Sequence, residues 1–573
     1  MGDSADAIPS PYDDDDDDDE EMKLDPSANH VVVIGAGPTG LLAALYLGRR
    51  GYRVDVYERA PAPGVLSGPG AVLRGHNYPI VLSSRALLAF RELGLQTRYN
   101  IGEQAVCHEG TWDVVAGTME VSTPDDENAR TIIVDRLGMV SELVGECRRL
   151  YANRITLHFD HELSDLDISR NNVSLMQNGT CTGGSMSVSA GRERTSGDSG
   201  CSLSASATRP GRATEAAGTT TIPDWDTAAL EAAASARGVS VDEAKAPTRS
   251  VTAHYDLLLG CDGADSALRS LMTAAKAPKV RDFTVQAPSE DIASFVGFTG
   301  WIAAHVGELV PGFREHRPRQ FLYVMDAGSG APRLELWISS PGVLSGIVAW
   351  DGPKCEWTPD ALCAALVAAY GSRVPGYCLD DLAARACARG APPPQRYGRT
   401  VQVSQFHGPR MVLLGDAAHT MTNATRQGLN CAVEGVRLLN VVLKISGESV
   451  ERAGNVLSEV RREDVQCLQM LELMQRAQSP GLKHGDMFFA LAGWLAGLVW
   501  RCAYAMSAVV SLLLPGRVRS NWVVVAMRDC RQGYAEVLKV LTRYAAGPIL
   551  AALFATACAL REPLQELFRG AVA

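Results

Sequence analysis

The chain has 573 residues, room for three or four domains of about 150 residues each, so a small disulfide-stapled module is excluded. Hydrophobic residues make up 46% and charged residues 21%, ordinary globular usage that excludes disorder or fibre formation along the whole length. The net charge is -11, yet residues 1–28 hold twelve acids and one lysine and the remaining chain is neutral. A neutral body offers no electrostatic footprint for nucleic acid and the acidic tail repels phosphate, which sets DNA and RNA binding aside.

Residues 13–21 are nine successive acids, which repel one another and bury nothing, so 1–28 reads as a disordered tail. At His30 a strong local pattern begins. Residues 31–34 form a buried-strand run, Gly35, Gly37 and Gly40 complete GxGxxG, residues 41–50 follow as a helix that stops at Gly51, and 54–56 alternate towards Glu58. Gly35 permits the tight turn, Gly37 lets the backbone approach a pyrophosphate, and Gly40 allows close packing of helix on strand. The helix start faces the phosphates with its positive end, and Glu58, twenty-three residues after Gly35, is placed to accept from ribose hydroxyls. Taken alone, this unit leaves FAD, NAD and NADP open.

Residues 155–166 read as a strand, and 178–250 are rich in Ser, Thr, Ala and Gly with a short helical stretch at 225–237. We read this biased stretch as an insertion in a surface loop, because 252–259 resumes as a strand and one domain is thereby interrupted. That strand opens the second motif, DLLLGCDGADSALR at 256–269, which holds Asp262 and Gly263. From 281 to 403 the apolar residues form short β-like runs, at 334–339 and 343–350 for example, with one helix-like stretch at 359–370, and this reads as a separate sheet domain. The third motif, MVLLGDAAHTMTNATRQGLN at 411–430, runs from a strand through Gly415 and Asp416 towards a helix at Gly428. Residues 450–477 show heptad-like apolar spacing.

The far C-terminus is unusually apolar. Residues 487–500 and 502–514 carry no charge, and 544–560 adds seventeen uncharged residues between Arg543 and Arg561. A bilayer span needs about 20 apolar residues, within a range of about 17 to 25, and flanking arginines suit interfacial anchoring. Membrane attachment through this region is therefore expected. The fourteen cysteines, including Cys107, Cys147, Cys261, Cys431 and Cys558, have neither a CxxC pair nor metal-ligand spacing, and the start lacks a basic, apolar, cleavable signal. An intracellular, reducing compartment and no metal site are expected.

Together and in this order, the three motifs resemble the class A flavoprotein monooxygenases, aromatic hydroxylases with the para-hydroxybenzoate hydroxylase fold. The resemblance covers about residues 30–175 and 251–445. It implies an α/β architecture in which a Rossmann-like FAD-binding domain (29–177, 251–279 and 404–445) is interleaved with a β-sheet substrate domain (280–403) and followed by an apolar helical C-terminus (446–573). It further implies that Gly35, Gly37, Gly40, Glu58 and the adjacent Arg59 hold the ADP half of FAD. By the same resemblance Asp262 and Gly263 lie near the pyrophosphate, Arg136 makes a further FAD contact, and Gly415 and Asp416 reach the ribityl region. The flavin loop would be Asn423, Arg426, Gly428, Leu429 and Asn430, with the helix start near Gly428 favouring negative charge on the reduced flavin. NADPH would be a transient co-substrate without a domain of its own, dioxygen would supply the oxygen atom, and no side-chain acid or base is required.

Within that class, RGHNYPIVLSSR at 74–85, ITLHFDHEL at 155–163 and the LLGDAAH and QGLN pieces resemble the kynurenine 3-monooxygenase family, whose C-terminal segments anchor it in the outer mitochondrial membrane. Two departures stand out. The family's flavin loop has proline where this chain has Asn423 and glycine where it has Arg426; both fix or free the backbone, so the loop beside the isoalloxazine can be rerouted. Arg426 would either stabilise the anionic reduced flavin or point into solvent. The arginine that holds the kynurenine carboxylate aligns with Ala105, a second substrate contact with Leu471 or Glu472, and a tyrosine with Trp522. The leading expectation is an NADPH-consuming aromatic hydroxylase. A flavin-binding regulatory or interaction protein and a membrane epoxidase-type flavoenzyme on an apolar substrate stand as alternatives, and the oligomeric state is not legible.

Overall fold

The computed structural model describes residues 25–26, 28–63, 78–95, 106–115, 117–121, 131–177, 249–275, 283–289, 293–301, 319–328, 330–340, 343–351, 357–387, 394–397, 399–422, 424–476, 497–503, 505, 522–543 and 545. The acidic tail almost to its end, the biased stretch 178–248 with its helical-looking piece, and nearly all of the apolar runs 487–500, 502–514 and 544–560 lie outside them. Two compact units are present, residues 1–177 with 250–573, and residues 178–249. The described strands and helices belong to the first unit, Arg249 excepted.

The chain opens with β1 (His30–Ile34), α1 (Pro38–Arg50) and β2 (Arg53–Tyr57). Next come β3 (Pro79–Leu82), α2 (Ser84–Glu92), β4 (Val106–Asp113), β5 (Thr118–Val121), β6 (Ile132–Asp135) and α3 (Arg136–Tyr151). β7 (Ile155–His158), β8 (His161–Asp167) and β9 (Asn172–Gln177) lead to the insertion, and β10 (Arg249–His254), β11 (Leu257–Gly260) and α4 (Ala267–Ala274) follow it. The middle third supplies β12 (Val285–Ser289), β13 (Ala293–Trp301), β14 (Arg319–Met325), β15 (Arg333–Ser340), β16 (Val343–Asp351), α5 (Pro359–Tyr370), α6 (Gly376–Ala386), β17 (Gln395–Tyr397) and β18 (Thr400–Val403). The last third holds β19 (His407–Gly408), β20 (Met411–Leu413), α7 (Asp416–His419), α8 (Gly428–Ile445), α9 (Val450–Arg476) and α10 (Trp522–Arg528).

Six strands in the order β19-β20-β11-β1-β2-β7 form the nucleotide-type sheet. Its centre is parallel, with Val31 to Ile34 opposite Leu257 to Gly260 and Leu258 to Gly260 opposite Met411 to Leu413. These strands read as unbroken apolar runs because a parallel sheet is covered on both faces; Val31, Val32, Val33, Leu257, Leu258 and Leu259 are fully buried. Helix α1 stops where expected, at Gly51, whose φ of 109° closes the helix in the left-handed conformation.

The expected strand 155–166 is two strands. Asp160 takes φ 60°, a left-handed kink that a short polar side chain tolerates, so β7 stays in the six-stranded sheet while β8 pairs with β9 in a second one. The strand expected over 252–259 also divides, into β10 and β11, and β9 and β10, the strands either side of the insertion, are neighbours in one sheet. The third sheet has nine strands in the order β17-β13-β16-β15-β14-β4-β6-β3 with β5 on β4. It is therefore not confined to 280–403: β3, β4 and β6 reach it from the first segment, and β14 pairs with β4 in parallel. Helix α6 was not anticipated; it packs Leu379, Leu382 and Ala383 with Leu362 and Leu366 of α5 against the sheet.

Of the C-terminal helices, α9 is long and amphipathic and α10 has seven residues. Among the described residues no helix is long and apolar enough to cross a membrane. Instead, residues 527–535 are bound into the body by a buried charged network. Arg85, 2% exposed on α2, donates to the Met527 carbonyl at 2.8 Å and to Glu434 on α8 at 2.7 Å, and its guanidinium lies 3.9 Å over the ring of the fully buried Tyr534. Arg461 on α9 sits 2.8 Å from the other oxygen of Glu434 and 2.9 Å from Asp464. Removing the shared carboxylate leaves two buried guanidiniums short of a partner, an arrangement that costs about 3–5 kcal/mol. Glu434→Ala should therefore lower stability by about that amount, measured by urea unfolding, whereas Glu459→Ala on the surface of α9 should change it by less than about 0.5 kcal/mol.

Candidate active site

β1, β11 and β20 lie side by side and point the same way, so the three motif loops that follow them emerge together at one sheet edge. The loops approach so closely that only glycine fits. A Cβ on Gly35, whose φ is 102°, would stand 2.4 Å from the Cys261 carbonyl oxygen, and one on Gly40 would stand 1.9 Å from the Gly35 carbonyl oxygen. Gly37 is the opposite case: nothing lies within 4 Å of its Cβ position, so its backbone faces open space. No side chain caps the start of α1 at Gly37 and its first turn holds no acid, which leaves amides and the positive helix end for an anion.

Glu58, at the end of β2, accepts from the Ala36 amide at 2.8 Å and the Ala60 amide at 2.9 Å. It lines a cleft with Gly35, Arg59, His161, Asp262 and Asp265, so Gly35, Glu58, Arg59 and Asp262 are brought together. One oxygen of Asp262 caps α4 through the Leu268 amide at 3.1 Å, while the other is buried without a partner. Gly263 takes φ 84° beside it. Arg269 then ties the second loop to the third, donating to the Ala264 carbonyl at 2.6 Å and to the Ala417 carbonyl at 2.8 Å. Gly415, with φ 60° and its Cβ position 2.9 Å from the Thr39 hydroxyl, turns the chain into α7.

Asp416 opens onto solvent, but the protein around it pushes its carboxyl up, with Arg136 and Arg269 pulling the other way. Arg136 starts α3, where Asp135 caps the helix through the Gly138 amide, and its guanidinium lies 5.5 Å over the Tyr78 ring. His419 is buried, and burial together with the Arg461 charge pushes it down to about 3. It stays neutral across the physiological range.

The loop 421–427 is fixed from two sides; Asn423 within it lies outside the described residues. Glu472 on α9, 1% exposed, accepts from the Ala424 and Thr425 amides at 2.9 Å each and from the Thr422 and Thr425 hydroxyls. Sequence reasoning considered Glu472 only as a substrate contact, and no local pattern marks a loop anchor 47 residues away. Arg426 is half-buried and its guanidinium has partners within the protein. It has a left-handed φ of 56°, donates to the Thr111 hydroxyl on β4 at 3.2 Å and pairs with Glu335 on β15 at 3.6 Å. Glu335 is buried and also held by Arg333 at 3.0 Å, and these two arginines keep its carboxyl low despite burial.

Asn430 is fully buried and its side chain is spent on the fold: it accepts from the Ser83 amide at 2.7 Å and donates to the Val81 carbonyl at 2.9 Å. Gly428 starts α8 and Leu429 packs half-buried beside the core. Leu471 is core and Ala105 lies outside the described residues. Trp522 opens α10.

The residues at the sheet edge fit a dinucleotide: open space before Gly37, an acid at the end of β2, and a buried unpaired oxygen on Asp262. Residues 30–159 match the family model of FAD-dependent oxidoreductases. The chain is 25% identical over 551 residues to kynurenine 3-monooxygenase of Mycosarcoma maydis, covering 84% of this chain and 87% of that one. A segment of 66 residues is 47% identical to kynurenine 3-monooxygenase of Salinispora arenicola, 11% of this chain and 14% of the other. Among solved structures, p-nitrophenol 4-monooxygenase of Pseudomonas putida aligns with a TM-score of 0.48 at 15% identity, over 81% of this chain and 91% of that one. By its sequence the chain is thus similar to the FAD-dependent monooxygenases. Within that class it is similar to kynurenine 3-monooxygenase.

Two substitutions separate the roles of the first loop. Gly37→Val puts a branched side chain into the space an anion would fill, so the flavin-to-protein absorbance ratio should fall while the melting temperature of the apoprotein holds. Gly40→Ala meets the Gly35 carbonyl and should lower that melting temperature as well, because α1 can no longer approach β1. Equal melting temperatures for the two variants would overturn the distinction.

Proposed function

We propose that the chain hydroxylates a small aromatic molecule, consuming NADPH and dioxygen, and that its substrate lacks a free carboxylate. FAD supplies the electron-transfer and oxygen-activating chemistry; the chain supplies the cradle at Gly35, Gly37, Glu58 and Asp262, the Asp416 carboxylate and a loop held off water. The observation that carries the substrate reading is the Arg426–Glu335 pair. Arg426 is the cation within the flavin loop, and it is already paired with a buried carboxylate, while the aligned arginine of the similar family is Ala105 here. A zwitterionic amino acid would have to compete with Glu335 for Arg426 or bury its carboxylate unpaired, at a cost of several kcal/mol.

L-kynurenine should accordingly bind at least about tenfold more weakly than an uncharged aromatic amine or phenol, the factor that corresponds to about 1.4 kcal/mol, in a flavin-fluorescence titration. Glu335→Gln removes the competing charge and should narrow that gap. Tight kynurenine binding with stoichiometric 3-hydroxykynurenine by the unaltered protein would restore the plain family function. Membrane attachment is proposed on the arginine-bounded run 544–560; deleting 544–573 should move the protein to the soluble fraction with FAD still bound.

A further inference from the structure

Arg426 holds a left-handed φ of 56°, a conformation that is strained for a bulky residue and persists only where the surroundings over-determine it. Those surroundings are unusual. On one side of the loop the Arg426 side chain is tied to Glu335 and Thr111 of the nine-stranded sheet. On the other, a single buried carboxylate on α9 collects four donors from three loop residues, two backbone amides and two hydroxyls, with no cation among its hydrogen-bond partners in the described residues. A carboxylate in a buried position is expensive unless its lone pairs are filled, and here the loop itself fills them. Burial pushes the Glu472 carboxyl above its ordinary range, and the loop's hydroxyls and amides offset part of that push. The dependence is mutual: the loop needs the acceptor, and the acid needs the loop.

We propose that Glu472 is a positioning residue that sets the course of Thr422 and of residues 424–426, and through them the placement of the flavin ring and the dryness of its oxygen-reacting face. The inference rests on the FAD reading above and adds to it a residue on a helix that packs beside β19 and β20 and carries none of the three motifs. The ADP half of the cofactor is held by Gly35, Gly37 and Glu58, on other elements, so loss of Glu472 should loosen the ring end while the adenine end stays bound. A glutamine at this position keeps the size but turns an amide donor towards donors, and should act nearly as strongly as alanine.

The test compares Glu472→Gln and Glu472→Ala with the unaltered full chain. In the apoprotein, hydrogen exchange at the Ala424 and Thr425 amides should quicken at least tenfold in both variants, while amides of α8 around Val433 to Val436 keep their protection. In the FAD-bound proteins, the circular dichroism of the flavin visible bands should change, and the fraction of NADPH-derived electrons released as hydrogen peroxide should rise at least threefold, with FAD still bound. A purely structural role would lower melting temperature and FAD occupancy without changing the flavin dichroism or the peroxide fraction of the molecules that retain FAD, and that result overturns the proposal. So does unchanged exchange at 424 and 425. If Glu472→Ala fails to fold, Thr425→Val, which removes one of the four donors from outside α9, carries the same readouts. A colourless unaltered protein would instead refute the FAD reading, a separate failure.

Discussion

The Gly35 carbonyl and the Cα of Gly40 approach so closely that even a methyl group would collide. That contact lets α1 sit down on β1 and β11, and it decides where the other two loops can go, since Gly35 in turn abuts the Cys261 carbonyl. Strand spacing in a parallel sheet is fixed at about 4.8 Å by hydrogen bonding, so once these backbones touch, the second loop's Asp262 and the third loop's Asp416 are delivered to the same edge. Arg269 is consistent with this order of cause: it bridges two carbonyl groups that are already adjacent and stabilises their spacing.

Much of this was legible because it is local or because it is carried by unbroken apolar strands. The GxGxxG turn, the end of α1 at Gly51, the helices at 359–370 and from 450, and the strands ending at Asp262 and Gly415 are written in runs of a few residues whose periodicity depends on burial alone. The break at Asp160 was not legible, because a single residue can take a left-handed φ without leaving the apolar alternation. Nor was the recruitment of β3, β4 and β6 into the sheet of the middle third, since β-pairing between distant segments leaves no mark in either one.

In the candidate site the same division appears. Glycines and acids that must be at a turn announce themselves by spacing. Partners that act from another element do not: Glu472 sits in an amphipathic helix as one more polar residue, and Arg426 was open between cofactor and solvent because its actual partner, Glu335, lies in a strand of ordinary composition. Asn430 illustrates the converse, a residue prominent in a motif whose side chain is used to hold β3 and α2 against α8.

The clasp on Arg85 has a temporal side. Its partners at Met527, Gln532 and Tyr534 come more than four hundred residues later, and the third strand of the motif trio arrives only at Met411. A chain emerging from the ribosome at about 5–20 residues per second must therefore carry β1 and α1 for some 20 s or more before their sheet neighbour β20 exists, and α2 longer still with a buried arginine awaiting its cage. Domains of such high contact order fold late and present unpaired strand edges in the meantime. The N-terminal half of this protein thus waits with open strand edges while about three hundred further residues are made, and the segment 527–535 that cages Arg85 follows later still.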